Sequence, residues 1–313
     1  MSHRFRFTKD SRDRLKDFAS AETPRKEKRR KPKPKPQVNA VHLYKQLARE
    51  KARRKDQPAP EPVAPVQSDV APDDKDIAVV LRTHIGMVRK SNQDALIASP
   101  EDRLWGVADG MGGHNGGETA SSSARDGLIA ELRGAAPDQG TLRTAICTVN
   151  RQVFQHQRED ESLAGMGTTM TVLWFSDACL YIGHVGDSRA YRLRDGELTQ
   201  ITDDHSLVAE MVRSGMITSE QASVHPMRNV ITRAVGTDES VEVDLICADR
   251  CKGDKWLVCS DGLYGMVDDD VMAEILREHP MKEAAELLLE AALDNGGRDN
   301  ISLVILEDKE AQA

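Results

Sequence analysis

Apolar residues are unevenly spread along the chain. Up to about residue 75 they stand singly among charges and prolines; from residue 76 they collect into short, dense runs. IAVVLRTH (77–84), RLWGVAD (103–109), TTMTVLWF (168–175), ACLYIGHVG (178–186), VEVDLIC (241–247), DKWLVCSD (254–261) and NISLVILE (300–307) have strand length and strand composition. RAYRLRDGELTQI (189–201) reads as a hairpin turning at Asp195-Gly196, a pair suited to a type I′ turn. Helical spacing of apolar residues recurs at about 117–133, 141–157, 206–214, 268–279 and 281–293. Strands outnumber helices and mostly follow one another directly. That order predicts an α+β fold of antiparallel sheets with helices packed outside, not a βαβ array. No solenoid-type repeat is present.

Charge divides the chain at the same place. Residues 1–75 hold 21 Lys+Arg against 11 Asp+Glu, and residues 76–313 hold 22 against 40. A basic arm therefore precedes an acidic body. An acidic body is a poor ligand for nucleic acid, whose phosphates need cationic surfaces, and a good one for cations. The stretches 20–38 and 56–75 are rich in proline and charge, so they read as solvated linkers. A short helix over 40–54, capped by Asn39, is expected between them. The arm is suited to contact an acidic partner, an anionic membrane surface or nucleic acid. The domain expectation is an arm over 1–75, a body over 76–308 and a tail over 309–313. Cys147, Cys179, Cys247, Cys251 and Cys259 contain no C-x-x-C pair, and soft partners for a zinc site at Cys247 and Cys251 are missing. Reduced thiols, an N-terminus without an apolar signal core and the lack of a membrane-length apolar run lead to a cytoplasmic expectation.

The candidate chemistry lies in carboxylates at the ends of apolar runs. Asp109, Asp187, Asp261 and Asp299 all take such positions, whereas Asp126-Gly127 falls within a helical stretch. Each alone fits a turn or a cap. Gathered at one sheet edge, they would repel by about 4 kcal/mol per pair at 4 Å and an effective dielectric near 20. Protons or cations must then hold them together, and oxygen-only donors favour Mg²⁺ or Mn²⁺. The glycines of GVADGMGGHNGGE (106–118) let the backbone approach closely, so the Gly110 carbonyl can add a ligand beside Asp109. They match neither the P-loop nor the dinucleotide fingerprint. Two ions sharing a carboxylate make a bridging water acidic and hold it in line with a phosphorus atom. Arg89 is the candidate clamp for the phosphoryl group.

The ordered motifs VRKSNQDA, GVADGMGGHNGGETAS, GMGTTMTVLWF, YIGHVGDSRAYRL, NVITRAVG, LVCSDGLYGMV and GGRDNISLVIL span about 77–307. Together they resemble the metal-dependent Ser/Thr protein phosphatases of the PPM (type 2C) family in their compact bacterial form. The resemblance implies a four-layer α-β-β-α sandwich of two antiparallel sheets flanked by helix pairs. It implies two or three Mn²⁺ or Mg²⁺ ions: Asp109 bridges two of them, the Gly110 carbonyl binds one, Asp261 and Asp299 complete the other, and Asp187 joins Asp261 at a weaker third position. Arg89 grips the phosphate, and a metal-bridging hydroxide attacks phosphoserine or phosphothreonine without a covalent intermediate. Phosphorylated proteins are the implied substrates, a cognate Ser/Thr kinase the implied opponent, and a monomer the expected state.

Two positions depart from that pattern. Gln93 stands where many members carry a metal-binding glutamate, and Asp94 beside it is an outer-shell candidate. Met111 replaces a histidine proposed as general acid in some relatives, and His114 does not stand at that position. The segment 207–228, polar in sequence, corresponds to the family's flap beside the metal site. No Cys-x₅-Arg motif supports a cysteine nucleophile, and Ser188 has no assigned base, so both readings favour metal chemistry. The alternative is a non-catalytic phospho-sensor or scaffold on the same fold; Gln93 and Met111 lean towards it, and the retained Asp109, Asp261 and Asp299 lean against it.

Overall fold

The computed structural model describes residues 66–68, 76–112 and 116–309. The helix expected over 40–54, the basic stretch before it, His114 and residues 310–313 lie outside these residues. Chain contacts divide the protein between residues 38 and 39, and every described residue falls in the second unit.

Among the described residues twelve strands make two sheets, and every pairing between them is antiparallel. In chain order the strands are β1 Val66–Ser68, β2 Ile77–His84, β3 Asp94–Ser99, β4 Leu104–Met111, β5 Gly167–Thr168, β6 Met170–Phe175, β7 Cys179–Val185, β8 Arg189–Arg194, β9 Glu197–Gln200, β10 Asp244–Asp249, β11 Lys255–Cys259 and β12 Ile301–Asp308. The helices are α1 Gly116–Leu132, α2 Gln139–Glu159, α3 Leu207–Arg213, α4 Ser219–Ser223, α5 Asp261–Tyr264, α6 Asp269–Glu278 and α7 Met281–Asp294. One sheet runs β1-β2-β12-β11-β8-β9; the other runs β10-β7-β6-β4-β3, with β5 paired to β4.

Alternation along the strands builds the layers. Ile77, Val79 and Leu81 of β2 meet Trp105, Val107, Leu173 and Phe175 between the sheets, where Trp105 and Phe175 pack edge to face at 5.7 Å. On one outer face Leu128 and Leu132 of α1 and Leu142, Ile146 and Val149 of α2 cover Ile97, Leu104, Val172 and Trp174. On the other, α6 and α7 cover Leu257, Leu303 and Ile305. The architecture is the expected α-β-β-α sandwich. The hairpin turn is also as expected: Asp195 and Gly196 both have positive φ, 53° and 83°.

Three strands escaped the sequence pattern. β3 is Ala-rich, β5 has two residues, and β1 falls inside the Pro-rich stretch read as linker. β1 pairs Val66 with Thr83 and Ser68 with Leu81, adding an edge strand to the first sheet from within the arm expected over 1–75. β10 also starts three residues later than the apolar run that predicted it.

Candidate active site

Two candidate residues sit where the chain crosses between the sheets, and two sit at the ends of the β11–β12 connection within one sheet. The β2–β3 connection carries Arg89, the β7–β8 connection carries Asp187, and the segments flanking β11 and β12 carry Asp261 and Asp299. Asp109 and Asp94 face them from the second sheet.

Asp109 lies within β4, not at its tip, because the strand continues to Met111. Its backbone is locked on one side: its N–H donates to Thr169 Oγ1 (2.9 Å), and its carbonyl accepts from the Thr169 N–H (2.8 Å) and Thr168 Oγ1 (2.9 Å). On the other side Asp94 is its cross-strand partner. Two carboxylates thus oppose each other directly, an arrangement that normally destabilises a sheet. Burial, then the charges of Asp94, Asp261, Asp187 and Asp299, push the Asp109 carboxyl well above the usual carboxylate range.

The other acids feel the same field. Burial raises Asp94 to about 6, although Ser260 Oγ donates to its Oδ2 at 2.8 Å. Burial and Asp204 raise Asp187 to about 6. Burial with Asp187, Asp299 and Asp94 raises Asp261 to about 8, with Arg89 opposing. Tyr264 ties two of these positions together: it lies on the helix that Asp261 begins, and its hydroxyl donates to the Asp187 carbonyl at 2.9 Å.

Arg89 is the nearby counter-charge. Its Nη2 donates to Asp299 Oδ2 at 2.5 Å, and that bond together with Asp299, Asp261 and Asp109 raises its own pKa. Its loop is held by Asn300, a residue the sequence reading passed over. Asn300 Nδ2 donates to the carbonyls of Ile85 and Ser91, both at 2.9 Å, and its Oδ1 accepts from the Gln93 N–H at 2.8 Å.

Gly110 is required by a contact different from the one expected. A Cβ there would lie 2.1 Å from the Gly117 carbonyl oxygen and 2.5 Å from that of Gln93. The start of α1 therefore packs backbone to backbone against β4, and any side chain at 110 would push the helix away. The Gln93 side chain lies against Gly117, where a Cβ would come within 2.7 Å of its Cδ. Met111 ends β4 opposite Gly167. Ser188 Oγ is buried and meets Thr169 Oγ1 at 2.8 Å, which makes it part of the scaffold beneath Asp109.

These residues suit a hard cation. The side-chain donors are all oxygen, Asp94 Oδ1 is buried without a hydrogen-bond partner, and Asp94, Asp109, Asp187 and Asp261 hold their protons abnormally tightly. The acids do not close into a ready-made cage: among the described residues no three His, Cys, Asp or Glu side chains stand as a metal-ligand cluster. Two of the acids have other partners instead: Asp299 accepts from Arg89 and Asp94 from Ser260. Their shared field still marks Asp94, Asp109, Asp187, Asp261 and Asp299 as one electrostatic unit.

Comparison with known proteins supplies the family. The family model described as Protein phosphatase 2C matches residues 84–295. The serine/threonine protein phosphatase PstP of Mycobacterium tuberculosis is 40% identical over 232 residues, covering 72% of this chain and 44% of that protein. The chain thus spans less than half the length of that relative. The serine/threonine phosphatase stp of Listeria monocytogenes is 36% identical over 236 residues, 72% of this chain and 94% of that one. A crystal structure of the catalytic domain of PstP in complex with two manganese ions superposes with a TM-score of 0.69 at 36% identity, over 75% of this chain and 99% of that one.

Proposed function

The chain belongs to the protein phosphatase 2C family, and from that premise we propose that it is a metal-dependent phosphatase of phosphoserine and phosphothreonine in proteins. The observation that carries this reading is the cluster of five aspartates drawn from the paired strands β3 and β4, the β7–β8 connection and the two ends of the β11–β12 connection, with Arg89 bonded to Asp299 beside it. Asp109, Asp261 and Asp299 with the Gly110 carbonyl hold two Mn²⁺ or Mg²⁺ ions. Asp187 contributes to a weaker third position, and Gln93 and Asp94 act from outside. Bound divalent ions supply Lewis acidity, which makes water nucleophilic at neutral pH and offsets charge on the phosphoryl oxygens.

The remaining work falls to the chain. Arg89 receives the phosphate on guanidinium donors beyond the one given to Asp299, matching two phosphoryl oxygens at once. The carboxylates repel a phosphate that arrives without its counter-ions, so binding is tied to metal occupancy. Met111 has no proton to give, so the leaving alkoxide takes its proton from water. Cys259 lies two residues before Asp261, but burial pushes its thiol up, the wrong direction for a nucleophile. Hydrolysis therefore proceeds without a covalent phospho-enzyme. A Ser/Thr kinase supplies the substrates, and a monomer acting in the cytoplasm is the working state; among the described residues no helix is long and apolar enough to cross a membrane.

The test is turnover of a phosphothreonine peptide by metal-stripped protein, with and without added Mn²⁺. Turnover should require the ion, and Arg89→Ala should lower kcat/KM by roughly 10–100-fold through the lost charge-assisted contacts. Undiminished turnover in chelator, or none with any divalent ion, contradicts the proposal; the second result would return the regulator reading.

A further inference from the structure

Among the described residues the large apolar side chains left exposed are Met87, Val88, Met216, Val224, Met227 and Val230. Single exposed apolar residues are ordinary. Their confinement to two segments is not. Two immediately precede Arg89, and four lie within or just beyond the segment 207–228, which sequence alone marked as polar. That segment leaves the core beside Asp187, since the His205 N–H donates to the Gly186 carbonyl at 2.8 Å. The first segment therefore borders the carboxylate cluster, and the second starts next to it.

Met87 and Val88 are the sharper case. They are 69% and 66% exposed, yet their loop is not slack. The Met87 N–H donates to the Gly297 carbonyl at 2.7 Å, the Gly86 N–H donates to His84 Nδ1 at 2.9 Å, and Asn300 grips the loop at Ile85, Ser91 and Gln93. A rigid loop that presents two large apolar side chains to water has already met the ordering cost of binding. The same loop carries Arg89, and the neighbour of Asn300 is Asp299, which holds the guanidinium. An apolar pair and a phosphate grip are thus fixed to each other on one short platform.

Resting on the phosphatase reading, we infer that the preferred substrates are phosphoproteins in which large apolar residues flank the phosphorylated residue, seated against Met87 and Val88. A chain whose phosphate lies on Arg89 must pass these neighbours. Apolar flanks are buried there, whereas acidic flanks give up water to two apolar side chains and gain nothing in return. Met87 and Val88 are specificity-determining residues in this account; they make no contribution to the chemistry itself.

The test uses the full chain with Mn²⁺ and three phosphothreonine peptides that differ only at the two positions flanking phosphothreonine: Val and Leu, Gly and Gly, or Glu and Glu. The apolar peptide should lead the glycine peptide by roughly tenfold in kcat/KM, mostly through KM. The double variant M87S/V88S should reduce that lead to within about twofold, and M87L/V88I should restore it. The inference is overturned if the wild-type chain treats the apolar and glycine peptides alike, if it prefers the glutamate peptide, or if M87S/V88S keeps the full lead. If neither the peptides nor p-nitrophenyl phosphate are hydrolysed, the phosphatase reading fails first and takes this inference with it.

Discussion

Asp109 occupies an interior position of a buried strand, opposite a second aspartate, where a valine pair would stabilise the sheet. Such a placement costs stability unless a cation answers it. Asp109→Asn should therefore do two things at once: abolish turnover, and in chelator raise unfolding stability by about 1–2 kcal/mol by removing one of the clustered charges. Chemical denaturation of both proteins in EDTA checks this, and a variant less stable than wild type there would show that the carboxylates do not oppose one another. Asp109, Asp187, Asp261 and Asp299 were legible in the sequence because each borders an apolar run. Asp94 was less so. Its strand, DALIAS, has one β-branched residue and no aromatic, so nothing in its pattern announced a strand facing β4. Asn300 was invisible for another reason: its three loop contacts are long-range, and an asparagine before a strand reads as a turn residue. Gly110 was singled out for its carbonyl, while the packing need comes from Gly117, seven residues on.

At the level of elements, most strands and the longer helices follow from periodicity alone, since the two-sheet core demands alternation. The flanking acids were placed by the connections, which periodicity does not describe. One connection has a pH signature. His184, near the end of β7, is buried; its Nε2 lies 3.0 Å from the Asp203 carbonyl, and Thr171 Oγ1 lies 2.9 Å from its Nδ1. Burial and the His205 ring, 4.6 Å away, lower its pKa to about 4, with Asp204 and Asp244 opposing. The unfolded chain takes up this proton near pH 6.5, and the folded chain resists it. The contribution is thus complete above pH 6.5 and is lost as the pH falls towards 4, by up to about 3 kcal/mol. Asp94 and Asp187, raised to about 6, act in the opposite sense over part of that range, because the folded state holds their protons more tightly. The clean readout is therefore a difference. Between pH 7 and pH 4.5 wild type should lose stability relative to His184→Gln, measured by denaturant midpoints. Parallel pH profiles for the two proteins would contradict it.

For the whole molecule, the partition into a basic arm and an acidic body explains why one chain can carry two kinds of surface. The candidate site residues all lie in the body. Removing residues 1–60, which carry none of the candidate site residues, should leave turnover of p-nitrophenyl phosphate within about twofold. Extending the deletion to residue 75 removes β1 and should lower the unfolding midpoint, because β2 loses its edge partner. A large fall in kcat with the shorter deletion would place the arm in the active site. We propose that the clustered aspartates of the body are a divalent-cation site. Isothermal titration of Mn²⁺ into metal-stripped protein tests that most directly. At least two ions should bind per chain, and Asp109→Asn should weaken or abolish the tighter events. Absence of binding heat in the wild-type protein, or an isotherm untouched by the substitution, would contradict the account.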